Sequence, residues 1–571
     1  MTIQRLLFSL IVASPLPAYA EEPTEGVAAA EEKDEDALEG DSPEAPDAEV
    51  VPVAPEPEPD VAEVTADDFF TFTDYVDSRV TFALTNVNVF AGPGDRTTQT
   101  SGYRIGIDPG YNLFLENVNT RFSGYESLSH LVLYKKTAAF FSDVETEAAL
   151  AALVLADTNS GKLNLYDSGT YLRVIKKLGK GEERDVGSLD LTAWPVSADR
   201  FRLGYTYLIS WGGTAIFPGK LQASSITEGA VPGLRFRYRA PKGDGYAFIG
   251  LKSALLLSRE PGVEAGEQVP NFGVLAGGGI DLGKRFVLEA NGGLFQKGAQ
   301  VRPGLEGERI FAYGASARVS VYDGIPPPQS ADLKLYKNDP RYPDDYNVFK
   351  PWKVGTGYSA GLEVNALFQN LEDPDFFGSE KLVTALSAGV VAAVQVDYLR
   401  LKLEGFFQSP DFILFNVPGF VPFQATPEGA TTTPEFFAAI GAEYYVEAFH
   451  FQPSFSVGLK MPATYEGITL LDQGGVSGVG GAEPGATHVQ IIVDETNRIV
   501  LPPGKGPQPV IGAMLKLPLY LSPTMVLAGE LRAEINDNQP RLAQDNERGE
   551  VEYIFDDPLR LSLGLVLQSR F

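Results

Sequence analysis

From about residue 121 to residue 571 the chain repeats one pattern. Runs of about ten residues alternate apolar with polar or small side chains, and turn residues separate them. In GLRFRYRAPKGDGYAFIG, Gly233 to Gly250, the residues Leu234, Phe236 and Tyr238 alternate with Arg235, Arg237 and Arg239. Successive side chains of a strand point to opposite faces, so one face carries three guanidiniums and the other is apolar. In YLRLKLEG, Leu399, Leu401 and Leu403 oppose Arg400, Lys402 and Glu404. In LAGELRAEIN, Leu527, Leu531 and Ile535 oppose Glu530, Arg532 and Glu534. RFRLGYTYL sets Phe201, Leu203, Tyr205 and Tyr207 against Arg202, Gly204 and Thr206.

The pattern predicts 18 strands, near 121–135, 144–157, 162–177, 185–197, 200–211, 233–240, 246–258, 272–283, 285–297, 309–323, 355–369, 381–397, 398–409, 435–447, 449–461, 509–522, 525–537 and 558–571. Short turns are expected at 158–161, 241–245, 283–285, 397–398 and 522–525, and longer connections at 212–232, 259–271, 410–434, 462–508 and 538–557. Short and long largely alternate, as in barrels with short periplasmic turns and long external loops. The long stretch GIPPPQSADLKLYKNDPRYPDDYNVFKPW falls by parity on the short-turn side. Residues 77–90 are a further strand candidate, which with a partner in 100–116 brings the count to about 20; the alternative is a segment folded inside or beneath the barrel.

No stretch after the N-terminal leader reaches the roughly 18 apolar residues of a membrane helix. The nearest, 382–396, is broken by Thr384, Ser387 and Gln395. In hydrocarbon every backbone polar group needs an internal partner, so two-faced strands span only as a closed barrel. The expected fold is all-β, a transmembrane antiparallel up-and-down barrel of about 18 strands, in the range 16–20. Phe236, Tyr238, Leu399, Leu401, Leu403, Leu563, Leu565 and Leu567 are expected to face lipid. Arg202, Arg235, Arg237, Arg239, Arg400, Lys402, Glu404, Glu530, Arg532 and Glu534 are expected to line the pore. Two readings of the arginine ladder stay open: a cationic stripe that attracts anions, or pairing with acids on adjacent strands. Trp194, Trp211 and Trp352 fall near strand ends, where interfacial rings belong.

Residues 1–20 read as an export signal: Arg5, then apolar Leu6 to Ala13, then Ala18-Tyr19-Ala20. Residues 21–68 hold 19 acids against one base, so this segment carries −18 of the net charge of −29. Rich in Pro, Ala and Glu and without aromatics, it reads as a disordered periplasmic tether, with docking to a cationic partner as the sharper alternative. Residues 69–120 are an N-terminal segment of extra strands or plug-like character, and 121–571 the barrel.

With no cysteine and only His130, His450 and His488, the chain offers no metal-ligand spacing, and neither a metal nor a cofactor is expected. No nucleic-acid partner is expected either. GYSAG, Gly357 to Gly361, matches a nucleophile-elbow motif, but Ser359 lies inside an alternating run and not at a strand-to-helix turn. Ser129 and His130 are sequence neighbours and point to opposite faces, so they form no dyad. The acidic stretches 370–376 and 555–558 lack the calcium-loop register. No catalytic residue is assigned.

The C-terminus LRLSLGLVLQSRF alternates Leu559, Leu561, Leu563, Leu565 and Leu567 and ends on Phe571. It resembles the terminal strand of Gram-negative outer-membrane β-barrels, apart from Ser569, where that family carries a bulky apolar residue. The resemblance covers about 121–571 and extends to porins or alginate-exporter-type channels, with no motif that selects between them. It implies an outer-membrane location, outer-membrane lipid as surroundings, and Phe571 as the signal read by the barrel assembly machinery. The implied function is passive or substrate-selective passage of small hydrophilic solutes, with no chemical step, past lumen charges and inward-folded loops such as 410–434 or 462–508. Two alternatives belong to other classes: a non-transporting docking barrel that recruits periplasmic partners, and a barrel lipase or protease.

Overall fold

The computed structural model describes residues 76–86, 89–90 and, with interruptions chiefly in the longer connections, 124–570. Among the described residues, eighteen strands follow one another around a ring. They are β1 (Val76–Asn86), β2 (Gly124–Ala138), β3 (Val144–Asp157), β4 (Lys162–Asp167 continued by Tyr171–Lys177), β5 (Ser188–Ser197) and β6 (Val231–Arg239). Next come β7 (Gly245–Leu257), β8 (Gln268–Leu282), β9 (Phe286–Ala299), β10 (Arg309–Asp323), β11 (Thr356–Glu372) and β12 (Glu380–Val396). The ring ends with β13 (Leu399–Gln408), β14 (Glu435–Tyr444), β15 (Ser454–Met461), β16 (Val510–Ser522), β17 (Met525–Ile535) and β18 (Leu559–Arg570).

Each strand pairs antiparallel with its neighbour in sequence, and β1 closes the ring. It pairs with β2, for example Arg79 with His130, and with β18, Arg79 opposite Arg570 and Asn86 opposite Leu563. Closure leaves no unpaired edge, the condition for a sheet to sit in hydrocarbon.

The count of 18 matches the expectation, but its membership differs in two places. The run 200–211 is not a wall strand. Phe201–Leu203 pairs with Ile209–Trp211 as a short hairpin. Gly204 leaves the extended region at φ +84, which ends the run that alternation predicted. In its place Val76–Asn86 joins the wall, so the barrel starts at residue 76 and not near 121. These two differences cancel in parity from β6 onward. Before β6 they reverse direction, so the connection 158–161 lies at the same end as the long loops, and the segment 139–143 at the opposite end.

With strand directions set by the ring, one end carries the turns 139–143, 178–187, 240–244, 283–285, 397–398, 445–453 and 523–524, plus the long connection 324–355. This is the turn end. The other, the loop end, carries 198–230, 409–434, 462–509 and 536–558 among its connections. Beyond the wall at the loop end, Thr431–Thr433, Ala463–Glu466, Val489–Val493 and Arg498–Val500 form a small sheet.

The outer face is an apolar belt. Leu362, Val364, Leu386, Val390, Leu401, Leu403, Leu563 and Leu565 all stand exposed on it. Aromatic side chains mark its two rims: Tyr238, Phe286, Tyr358, Tyr444 and Phe455 toward the turn end, and Phe272, Phe311, Tyr313 and Phe436 toward the loop end. An apolar band between two aromatic girdles is the outer surface of a membrane-spanning barrel. Trp194 and Trp352, expected in such girdles, are not part of them. Trp194 is buried on the interior side of β5, and Trp352 lies against interior Arg400, because each ring stacks on a guanidinium there.

Candidate functional site

The interior wall of the barrel is hydrophilic because the second face of every alternating strand turns inward. On β6, Leu234, Phe236 and Tyr238 are exposed outside, while Arg235 is buried inside and Arg237 and Arg239 are partly buried. These guanidiniums meet acids on the preceding elements. Asp190 of β5 accepts from Arg237 Nε at 2.7 Å and from Arg173 Nη2 at 3.0 Å, and it lies 3.9 Å from Arg235 Nη2. Glu183, on the one-turn helix Glu183–Val186, lies 2.9 Å from Arg173 Nη2, 3.9 Å from Arg237 and 3.8 Å from Arg239. Arg173 Nη1 reaches Glu147 at 3.1 Å, and the Tyr171 hydroxyl donates to the other oxygen of that carboxylate. Arg235 also sits over the Trp194 ring, 5.1 Å from its centroid. Of the two readings of the ladder, pairing is the one observed: four guanidiniums share three carboxylates on the wall of β3–β6. Register dictates this, since Arg237 stands directly opposite Asp190 and Arg235 opposite Thr192.

A second polar tract lies on β9–β11. Glu289, Arg318 and Glu363 stand opposite one another on adjacent strands. Arg318 Nη1 reaches Glu289 at 3.4 Å, and Tyr246 donates to Glu289 at 2.7 Å. One step toward the loop end runs a neutral row across five strands: Asn291, Ser316, Asn365, Ser387 and Gln408. All five are buried. The hairpin 201–211 covers part of this wall. A Cβ on Gly204 would meet Glu363 Oε1 at 2.8 Å and Asn365 Oδ1 at 2.9 Å, so the hairpin backbone lies directly on β11. Arg202 therefore belongs to an inward hairpin; its side chain lies outside the described residues.

The third tract spans β12–β17. Arg400 and Lys402 face Glu443 of β14 at 2.8 and 3.3 Å, with Glu404 buried beside them. On β17, Arg532 reaches Glu534 at 3.0 Å, and Glu530 is partly buried on the same inward face. Leu399, Leu401, Leu403, Leu563, Leu565 and Leu567 are exposed outside. Near the loop end the short helix Pro410–Phe415 packs on β12, with Phe412 fully buried. Burial pushes the Asp411 carboxyl above the ordinary range, and the Thr426 hydroxyl, donating to Asp411 Oδ1 at 3.3 Å, works against that.

Ser359 lies inside β11, which continues to Glu372, so the strand–turn–helix setting of a nucleophile elbow is not there. The side chains of Ser129 and His130, residues 1–75 and Phe571 lie outside the described residues. The hairpin at Gly204 and the acids Asp190, Glu183 and Glu443 were not singled out from sequence, and Trp352 was read only as an interfacial ring; strand pairing is what brings them to the lumen.

No protein-family model matches the chain, and no curated protein matches it. Among solved structures the chain is similar to OpdL of Pseudomonas aeruginosa, at 8% identity and a TM-score of 0.40, with 87% of this chain and 98% of that chain covered. The outer membrane protein OpdK of Pseudomonas aeruginosa gives the same identity, TM-score and coverage. Salmonella typhi OmpF, in complex with daunomycin, gives 10% identity and a TM-score of 0.33 over 87% of this chain and 98% of that chain. Likenesses at this level carry no functional argument, and the reading of the lumen rests on the barrel's own geometry.

Proposed function

We propose that the chain is an outer-membrane channel of a Gram-negative envelope, passing small hydrophilic solutes through a narrowed and charge-balanced lumen. The observation that carries this reading is the closed 18-strand ring, apolar outside and lined inside by paired charges and amides. Barrels of this size enclose an aqueous channel. The turn end then faces the periplasm, where connections are short. Arg235, Arg237, Arg239, Arg400, Lys402, Glu404, Glu530, Arg532 and Glu534 border the pathway, with Arg202 on the inward hairpin. Phe236, Tyr238, Leu399, Leu401, Leu403, Leu563, Leu565 and Leu567 face lipid. The tether 21–68 sits in the periplasm and Phe571 serves the assembly machinery. Passage needs no bond-making step, so the chain is read as a channel and not as an enzyme.

The arginine cluster of β4–β6 and the mixed charges Glu289, Arg318 and Glu363 of β9–β11 set local fields of both signs along the lumen wall, which favours zwitterionic or dipolar solutes over simple anions. A second reading, a filled docking barrel, is favoured by one observation: Arg173, Asn365, Gln369 and Lys252 of the inner wall are almost fully buried.

Reconstitution in a planar bilayer separates the two. The channel reading expects discrete current steps and weak ion preference, and a correctly folded but silent barrel would overturn it. Gly204→Val tests the narrowing. A branched Cβ at φ +84, placed 2.8 Å from Glu363, is strained twice over. The hairpin should lift from β11 and single-channel conductance should rise with folding intact. An unchanged conductance would remove the hairpin from the pathway.

A further inference from the structure

The connection between β10 and β11 returns to the barrel as Phe349 and Trp352–Gly355, and this stretch lies against the inner side of the turn-end rim. Phe349 packs edge-on against Tyr520, an inward residue of β16, with centroids 5.0 Å apart, and against His450 at 5.3 Å. Its N–H donates to the Pro523 carbonyl at 3.0 Å. Trp352 stacks on Tyr445, centroids 5.8 Å and planes 11° apart, and its indole N–H donates to the Asp397 carbonyl at 2.8 Å. Inward Gln395 of β12 donates to the carbonyl of Lys353, and Asp397 N–H donates to that of Gly355. The stretch is thus tied along the rim from β16 to β12.

Arg400 is the pathway residue this strap touches. Its guanidinium lies over the Trp352 ring, 4.3 Å from the centroid. Its edge donates to Gln395 Oε1 from Nε at 3.1 Å and Nη2 at 2.6 Å, and to Glu443 Oε1 from Nη1 at 2.8 Å. One face and all three nitrogens are therefore engaged. A planar cation held this way lies along the wall, its charge offset by Glu443, and it does not extend into the lumen. The ring itself is fixed by Tyr445 and Asp397, so it cannot follow a moving guanidinium.

We propose that Trp352 is a specificity-determining positioning residue: it clamps Arg400 flat against the wall and so sets the charge presented at the turn-end mouth. The proposal rests on the channel reading and adds a residue outside the barrel strands to its selectivity. Released from the ring, Arg400 can swing toward the axis, leaving Glu443 to Lys402 and Gln452, which lie 3.3 and 3.5 Å from it.

The test is reversal potential under a salt gradient, with conductance, for Trp352→Ala, Trp352→Phe, Arg400→Lys and the pair Trp352→Ala with Arg400→Ala. Trp352→Ala should shift selectivity toward anions by about twofold, a modest change suited to one repositioned charge. Trp352→Phe keeps a ring and should stay close to wild type. Arg400→Lys keeps the charge but not the planar stack, and should behave like Trp352→Ala. In an Arg400→Ala background, Trp352→Ala should add no further shift, because the residue acts through Arg400. A selectivity unchanged by Trp352→Ala, or an equal shift in both backgrounds, would overturn the clamp.

A readout without current keeps the two readings apart. With Trp194 and Trp211 replaced by Phe, the emission of Trp352 reports the stack directly, and Arg400→Ala should raise its acrylamide quenching by about twofold. A silent barrel that still shows this change would sink the channel reading and leave the clamp standing as a contact. Unchanged quenching would sink the clamp itself.

Discussion

Asp190→Ala should destabilise the barrel by about 3–5 kcal/mol, the cost of removing one partner from a buried charge network. Asp190 is buried, and Arg173, Arg235 and Arg237 converge on it. Without it, Arg173, Arg235 and Arg237 each lose a carboxylate partner. The protein interior screens little, so the uncompensated charge, and not the lost pair, dominates the penalty. Equilibrium unfolding in denaturant, from lipid vesicles, reads the effect as a lower midpoint. Asp190→Asn should recover little, since the amide keeps the shape and loses the charge. Pairing Asp190→Ala with Arg173→Met should recover part of the loss, because the most enclosed cation goes with its partner. A cost below about 1 kcal/mol would mean that the cluster is hydrated like a surface ion pair. The same variant should shift ion preference toward anions, since it leaves a net positive wall.

Whether such a network exists could not be read from the chain. Asp190 and Arg237 are 47 residues apart, and their meeting depends on β5 pairing with β6 across a long loop. What could be read was the phase of individual strands. Alternation is local, and one residue of slip would exchange lipid and lumen faces along a whole strand. Leu234, Phe236 and Tyr238 fall on the outer face of β6 for the same reason that their arginines fall on the inner one.

The failures have local causes as well. Phe201, Leu203, Tyr205 and Tyr207 write the same code for a wall strand as for an inward hairpin, and only the backbone of Gly204 decides between them. VDSRVTFALTN was legible as a strand candidate within 77–90, and the strand is there; its role as the closing strand appears only when β2 and β18 are found to need a common partner. Trp194 and Trp352 were placed at an interface by a rule about rings and water. Each instead found a guanidinium inside, where a cation over an indole face gains more in a drier setting.

The second large effect tests the outer face. Leu362 stands exposed at the middle of β11, flanked in register by Val319 on β10 and Val390 on β12, both also exposed. Along the strand it lies between Tyr358 of the turn-end girdle and the level of Tyr313, which pairs with Phe368 near the loop-end girdle. An arginine there would sit near the bilayer midplane, and Leu362→Arg should cost about 2–4 kcal/mol and slow assembly into vesicles. The neighbouring substitution Leu382→Arg offers the depth control. Leu382 is equally apolar and exposed but lies two residues past the loop-end start of β12, where the cost should fall to about 0–1 kcal/mol. The difference between the two variants, not either value alone, is the decisive quantity. A belt immersed in hydrocarbon makes the cost depend on depth, because the guanidinium near the rim reaches headgroups and water by extending its stem. A belt covered by another protein chain would make it depend on packing, with no reason for the two sites to rank by height. Equal costs would therefore argue that the apolar girdle of this barrel is a protein interface and not a lipid one.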